Sequence, residues 1–357
     1  MKSISLCLIA KNEEEVIGRC IESVIDVIDE IIVVDTGSTD KTIEIAEKYG
    51  AKVYNFTWID DFAAARNYSF SKATKEYIFW LDADDILFPG DKEKFKELKE
   101  GLDGTVDAVS MNYVLAVDEN NNPASSLRRN RLVKRSNNFL WIGKVHEYLE
   151  VYGNMISSNV SILHQKNKPY TDRNLRIYEG MLKNNNEFSP REQFYYANEL
   201  FDHGRYDEAL DMYRKFVDGK KGWVEDVKSA LSKIADCYSH KGDKDMEMKA
   251  LLEALEYDIP RSDFCCRIAY RFIEQNRYKE AMFWYKAAID TKPDEDNMAL
   301  IDHAYYTWIP YIQLCVCYAN LGDFNTSNYY NEKAAEYIPD HPSILQNREY
   351  LKDKINK

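Results

Sequence analysis
Four short apolar runs crowd into the first 82 residues, SISLCLIA, EIIVVD, AKVYNF and EYIFWLD, and the segments between them carry apolar residues at helical spacing. Runs of that length bounded by turn residues read as buried strands, and strands alternating with helices build βαβ units and a largely parallel sheet. The punctuation agrees. Asn12 is placed to cap a helix whose first turn holds Glu13, Glu14 and Glu15, Gly50 stops the helix of STDKTIEIAEKYG, and Asp60 or Asp61 opens DDFAAARNYSFSKA. A hairpin follows, DAVSMNYVLAV and LRRNRLVKR around ENNNPAS, then a further strand in NVSILH. Ligands of such sheets bind beyond the carboxyl ends of the strands, where Asp35 and Asp82 stand.

From about residue 190 the strand pattern stops and paired helices repeat. Gly204, Gly242, Asn276 and Gly322 mark equivalent turns, 38, 34 and 46 residues apart, and the middle spacing equals the tetratricopeptide period. Seven residues before each marker stands a small residue, Ala197, Ala235, Ala269 or Cys315. Four before it stands a large one, Leu200, Tyr238, Phe272 or Tyr318, as a closely packed helix pair requires. The organisation expected is an α/β domain over 1–170, a linker helix or lid over 171–189 and a helical solenoid over 190–357, each repeat burying its apolar face against its neighbours.

A net charge of −13 excludes a nucleic-acid polymer as the main partner, because binding phosphates needs a basic surface. The seven cysteines follow no zinc spacing and sit mostly in apolar helical patterns, which reads as reduced core thiols and a cytoplasmic location. The start, MKSISLCLIAKNEEE, is apolar for too few residues to make a signal peptide or a transmembrane segment.

The chemistry concentrates in LDADD. Alternation along a strand would set Asp82 and Asp84 on one face with Ala83 on the other, and three carboxylates in four residues call for a cation rather than for protein partners. A hard ion such as Mg²⁺ or Mn²⁺ takes one or two carboxylates and fills its shell with water and phosphate oxygens. A solvated turn after a strand is the plain alternative. In VVDTGSTDKT, Asp35 ends a strand and Gly37, Ser38 and Thr39 turn into a helix N-terminus suited to anions, with Asp40 or Thr39 as its cap.

Taken together, SLCLIAKNEEEVIGRCIESV, DEIIVVDTGSTDKTIEIA, DDFAAARNYSFSKATKEYIFWLDADD and LWIGKVHEYL resemble family 2 glycosyltransferases, in that family's order. The resemblance implies an α/β GT-A (Rossmann-like) catalytic domain with a mostly parallel sheet, followed here by an all-α tetratricopeptide-like helical solenoid. It implies a UDP-sugar donor with Asp35 at the uracil, the turn of Ala10, Asn12 and Glu13 beside base and ribose, Arg66 near the diphosphate, Asp82 and Ala83 at ribose or sugar, and Asp84 on Mn²⁺ or Mg²⁺. One departure is Thr36, where many members carry a second aspartate.

The resemblance also implies that His164 completes the metal shell, a polar strand end being the plain alternative, and Lys166, Lys168, Tyr170 and Arg173 would form a lid over the diphosphate or a plain linker. An inverting transfer needs a base on the far face of the sugar. Glu147 is the choice, His146 the alternative, and Asp85 the next candidate. Fusion to repeats resembles bacterial enzymes that glycosylate bacteriocin-type peptides, so a peptide or protein acceptor is expected, with a cell-surface glycan precursor as the rival. A nucleotide-sugar-binding but inactive scaffold is the reading from another class, and the repeats also suit a homodimer.

Overall fold
The computed structural model describes residues 2–165, 169, 171–184, 187–294 and 296–355. They form two compact units, one from Met1–Glu187 with Asp296–Leu300, the other from Phe188–Glu295 with Ile301–Lys357. No helix among the described residues is long and apolar enough to cross a membrane.

The first unit runs β1 (Ile4–Ala10), α1 (Ile17–Val24), β2 (Glu30–Asp35), α2 (Thr42–Lys48), β3 (Lys52–Asn55), α3 (Phe62–Lys72), β4 (Tyr77–Trp80), β5 (Asp85–Leu87), α4 (Lys92–Gly101), β6 (Ala108–Val117), β7 (Pro123–Lys134), β8 (Trp141–Ile142), β9 (Tyr148–Leu149), β10 (Met155–His164) and α5 (Arg173–Lys183). The main sheet has the order β3-β2-β1-β4-β7-β6-β10-β5. Its first four strands are mutually parallel. The hairpin β6–β7 then enters antiparallel to β4, β10 runs parallel to β6, and β5 antiparallel to β10.

Burial explains why β1, β2 and β4 are unbroken apolar runs. Both faces of the sheet are covered, one by α1 and α4 through Ile17, Ile21 and Phe95, the other by α3 and the small β8–β9 hairpin through Ala63, Trp141 and Leu149. Helix α1 follows the stripe Ile17, Cys20, Ile21, Val24. At the end of the sheet remote from the strand carboxyl termini, the carboxylate of Glu30 accepts from Ser5 Oγ (2.6 Å), Lys52 Nζ (2.8 Å), Thr74 N (2.8 Å) and Thr74 Oγ1 (2.9 Å). Burial opposes its charge, but these donors outweigh it and hold the carboxyl at about 2.

Helix α5, on the segment expected as linker or lid, belongs to the first unit, where Tyr178 Oη donates to Val145 O at 3.3 Å. Arg173 sets its guanidinium over the Phe62 ring at 4.6 Å. Lys166, Lys168 and Tyr170 lie outside the described residues.

The second unit is helical: α6 (Pro190–Asp202) with α7 (Tyr206–Asp218), α8 (Val224–His240) with α9 (Lys244–Glu253), α10 (Ser262–Glu274) with α11 (Tyr278–Asp290), α12 (Trp308–Asn320) with α13 (Phe324–Ala335), and a last helix α14 (Pro342–Ile355). All four marker residues sit at positive φ, 74°, 73°, 58° and 82°. Each pair turns through the same bond, Arg205 N to Leu200 O, Asp243 N to Tyr238 O, Arg277 N to Phe272 O and Asp323 N to Tyr318 O, at 2.9–3.0 Å. This is the left-handed C-terminal cap that glycine or asparagine adopts with least strain. Ala197, Ala235 and Ala269 are fully buried and Cys315 nearly so. All seven cysteines are buried and unbridged.

Candidate active site
The carboxyl ends of β1, β2 and β4 converge on two loops and one acidic turn. Asn12 does not cap a helix, because α1 begins at Ile17 with no side-chain cap. It adopts φ 56° and ties two loops together: its N–H donates to Ser38 Oγ (2.9 Å) and its Oδ1 accepts from Thr39 N (2.7 Å). Glu13 N donates to Thr42 Oγ1 (2.7 Å) in the same seam, and Ala10 is buried beneath it. Asp35 is 4 % exposed rather than facing solvent. Its Oδ2 accepts from Gly37 N (2.9 Å) and Ser38 N (3.0 Å), while Oδ1 keeps only a longer shared contact with Ser38 N (3.2 Å). The carboxylate therefore shapes its own turn and retains acceptor capacity on one oxygen.

The acidic stretch is a turn and not a strand continuation. Strand β4 ends at Trp80, Asp85 N bonds Asp82 O at 3.0 Å, and β5 starts at Asp85. The three carboxylates consequently point to different partners, which corrects the alternation expected from sequence. Asp82 Oδ1 accepts from Arg66 Nη2 at 2.6 Å, and Arg66 Nε donates to Glu147 Oε1 at 2.5 Å. The guanidinium lies against both Trp80 (5.0 Å) and Trp141 (4.7 Å), whose rings meet edge to face at 4.6 Å. Burial opposes the charge of Asp82, yet Arg66 and Arg131 keep its carboxyl below the usual range. Ala83 turns into the core.

Asp85 is fully buried, with Oδ2 3.0 Å from Arg131 Nη2 and Oδ1 accepting from Tyr113 Oη (2.9 Å) and beside His164 Nδ1 (3.1 Å). Arg131 is fully buried as well, stacked on Trp80 (3.9 Å) and Tyr113 (4.3 Å), its Nη1 donating to Trp80 O at 3.3 Å. Two of the three charges thus have protein cations beside them, contrary to the expectation that only a bound ion would offset them. With no exposed surface, Asp85 supports the site and does not face an acceptor.

Asp84 is the one left with carboxylate neighbours. Burial first, then Asp82 and Asp85, push its carboxyl up to about 6, against a counter-pull from His164. His164 Nδ1 lies 3.7 Å from Asp84 Oδ1, and donor atoms of Asp84, Asp85 and His164 fall within 4.8 Å of one another. Strand pairing causes this meeting, since β5 and β10 place Asp85 opposite His164. The bond to Asp85 raises the His164 imidazole above its ordinary value, despite burial. A histidine held at Nδ1 by a carboxylate presents Nε2 outward, the orientation that metal-binding histidines use.

Glu147 keeps Oε2 without a hydrogen-bond partner among the described residues. His146 adopts φ 50°, with its ring parallel to that of Tyr178 at 6.5 Å between centroids. The site thus brings together Arg66, Asp82 and Glu147 on one side, and Asp84, Asp85 and His164 on the other. Sequence reasoning missed Arg131, Tyr113, Trp80 and Trp141. The only available signal was an arginine next to the apolar Leu132 and Val133 in RRNRLVK.

Family descriptions match both parts of this architecture. The description "Glycosyl transferase family 2" matches residues 5–155, a SusR-type N-terminal tetratricopeptide domain matches 143–263, and a tetratricopeptide repeat matches 262–295. Among curated proteins, the SPbeta prophage-derived glycosyltransferase SunS of Bacillus subtilis is 29% identical over 61% of this chain and 54% of its own length. A tetratricopeptide repeat-containing protein of Synechococcus elongatus is 47% identical over 29% of this chain and 25% of its own. The chain therefore spans about half the length of the first and a quarter of the second. Among solved structures, S. aureus TarS 1-349 in complex with UDP-GlcNAc aligns over 70% of this chain and 90% of that one, at 14% identity and a TM-score of 0.40. Residues 5–155 match glycosyl transferase family 2, and the matches that follow along the chain are to tetratricopeptide repeats.

Proposed function
We propose that the first domain is a metal-dependent, inverting glycosyltransferase that moves a hexose or N-acetylhexosamine from a UDP-sugar to a peptide or protein acceptor. The observation that carries this reading is the meeting of Asp84, Asp85 and His164 beside the carboxyl ends of the parallel strands. Two carboxylates and an imidazole fit a hard divalent ion such as Mn²⁺ or Mg²⁺, with Asp84 and His164 as its holders and Asp85 orienting His164. Such an ion, when bound, supplies positive charge where the leaving diphosphate gains negative charge.

The remaining residues divide the substrate between them. Asp35 Oδ1 accepts from the base, the Ala10–Glu13 turn walls base and ribose, and Asp82, fixed by Arg66, accepts from a ribose or sugar hydroxyl. Since Asp82 and Glu147 both hold Arg66, its part is to fix those two carboxylates more than to bind the diphosphate directly. Glu147 uses its unpartnered oxygen to take the acceptor's proton on the face opposite the leaving group.

The test is a melting-temperature series with UDP and Mn²⁺, since a ligand of the native state stabilises it by mass action. Asp84→Ala should abolish most of the metal-dependent shift; a full shift in that variant would rule Asp84 out as a ligand. Glu147→Gln should keep donor affinity and lose roughly 10²–10⁴-fold in turnover. If His146→Ala shows that loss and Glu147→Gln stays active, the base is His146.

A further inference from the structure
Three residues on one face of α1 hold the acidic turn and the strand beside it. Cys20 Sγ donates to Asp82 O (3.4 Å), Ser23 Oγ accepts from Leu87 N (3.1 Å), and Arg19 Nη2 donates to Gln165 O (2.6 Å), one residue beyond His164. Cys20 is buried, so its contact belongs to the core. Arg19 is exposed, and its guanidinium reaches a backbone carbonyl 146 residues further along the chain. A long charged side chain loses entropy when it is fixed in this way, so the contact calls for a reason.

The ladder between β5 and β10 supplies one. Its register pairs Leu87 with Ile162, Ile86 with Leu163 and Asp85 with His164, and the next rung, Asp84 with Gln165, lies just past the two strands. In antiparallel pairing, the residues of a hydrogen-bonded rung exchange two bonds. Here Gln165 N donates to Asp84 O at 2.8 Å, but among the described residues Asp84 N returns no bond to Gln165 O. Arg19 takes that carbonyl instead, with the added strength of a charged donor. The rung matters because the side chains beside it do not set their own separation: His164 Nδ1 is 3.7 Å from Asp84 Oδ1, outside hydrogen-bond reach. The negative charges of Asp82 and Asp85 also repel that of Asp84, so the turn has to be held against them.

We propose that Arg19 is a positioning residue for Asp84 and His164: by closing the rung at Gln165 it fixes the separation of the two groups that would hold the divalent ion. The proposal rests on the reading of that pair as the ion's holders. A plain cross-link between helix and strand is the competing account, and it predicts lower stability with no change in the ion affinity of the folded protein.

The experiment titrates the full chain with Mn²⁺ in the presence of UDP and follows the ion by electron paramagnetic resonance, with hydrogen exchange across residues 82–88 and 161–165 measured without metal. Arg19→Met keeps the length of the side chain and removes its donors. It should bind Mn²⁺ about tenfold more weakly and exchange faster at the Gln165 amide. Arg19→Lys, which can still donate to the carbonyl, should recover most of both. Glu22→Ala, on the same helix, removes the partner of Tyr49 Oη without touching the turn, and should leave Mn²⁺ affinity unchanged whatever it does to stability. Melting temperature and circular dichroism establish that each variant is folded. Equal Mn²⁺ affinity in parent and Arg19→Met overturns the proposal alone. So does Arg19→Lys behaving like Arg19→Met, unchanged exchange at Gln165, or an equal loss in Glu22→Ala. A parent that binds no Mn²⁺, or an Asp84→Ala variant that binds it as the parent does, overturns the reading beneath the proposal as well.

Discussion
The buried pair of Arg131 and Asp85 offers the sharpest test of how this acidic site is held together. In Arg131→Met the side chain keeps its length and polarizability but loses its charge, leaving Asp85 with Tyr113, His164 and the backbone N–H of Asp82, none of them a fixed cation. Both members of the pair are fully buried and 3.0 Å apart, so the change strands a carboxylate in the interior, a cost of about 3–5 kcal/mol. Loss of the stacking on Trp80 and Tyr113 removes roughly 0.5–2 kcal/mol per ring, and methionine–aromatic contacts return about 0.3–1.5 kcal/mol each. The ion pair therefore decides the outcome. Asp85→Asn in the Arg131→Met background removes the stranded charge, so the double variant should be more stable than Arg131→Met alone, with a coupling energy of about 2–3 kcal/mol. Because the chain has two units, global unfolding mixes their transitions, and hydrogen exchange of β4 and β7 peptides across a urea series reads the relevant unit. If both single variants stay within about 0.5 kcal/mol of the parent, or their effects simply add, the pair does not hold the site and the reasoning fails.

Other consequences can be measured independently. Glu30 has its carboxyl held at about 2, below its unfolded value of 4.5, so the stability it contributes is fully present above pH 4.5 and is lost as pH falls toward 2. Glu30→Gln should cost about 3 kcal/mol at pH 7, and urea midpoints of parent and variant should converge near pH 2; a constant gap would refute the assignment. Gly242→Ala meets no atom within 4 Å but forces alanine to φ 73°, so it should lower stability by about 1–2 kcal/mol through the backbone alone, as urea unfolding of the second unit would show. Asp35→Ala should weaken UDP binding by about 1.5–3 kcal/mol in calorimetry, whereas unchanged affinity would remove Asp35 from the base site.

The sequence made some of this legible for physical reasons. Apolar runs revealed β1, β2 and β4 because both sheet faces are covered, and the repeat markers Gly204, Gly242, Asn276 and Gly322 were visible because a left-handed turn restricts residue choice. Asp82 and Asp84 were visible as charges, but their directions were not: the strand stops at Trp80, and period-two alternation does not carry through a turn. Asn12 looked like a cap because local sequence cannot show that its partners, Ser38 and Thr39, lie on the next loop. Arg131 stayed hidden for the same reason, since its partner becomes a neighbour only when β7 docks on β4.

The pairing of His164 with Asp85, 79 residues apart in sequence, also sets an order of events during synthesis. At roughly 5–20 residues per second, about 4–16 s separate the appearance of the two on the ribosome. Arg66 has already emerged when the acidic turn appears, so Asp82 finds its counter-charge at once. Asp85 waits first for Arg131 and then for His164 on β10. Until β10 arrives, β5 lacks its antiparallel neighbour, and the sheet edge that completes the acidic site is assembled only after β6 and β7 have been translated. A nascent chain halted before residue 164 would therefore expose an acidic turn without its histidine, a species for chaperones to shield and for proteases to find.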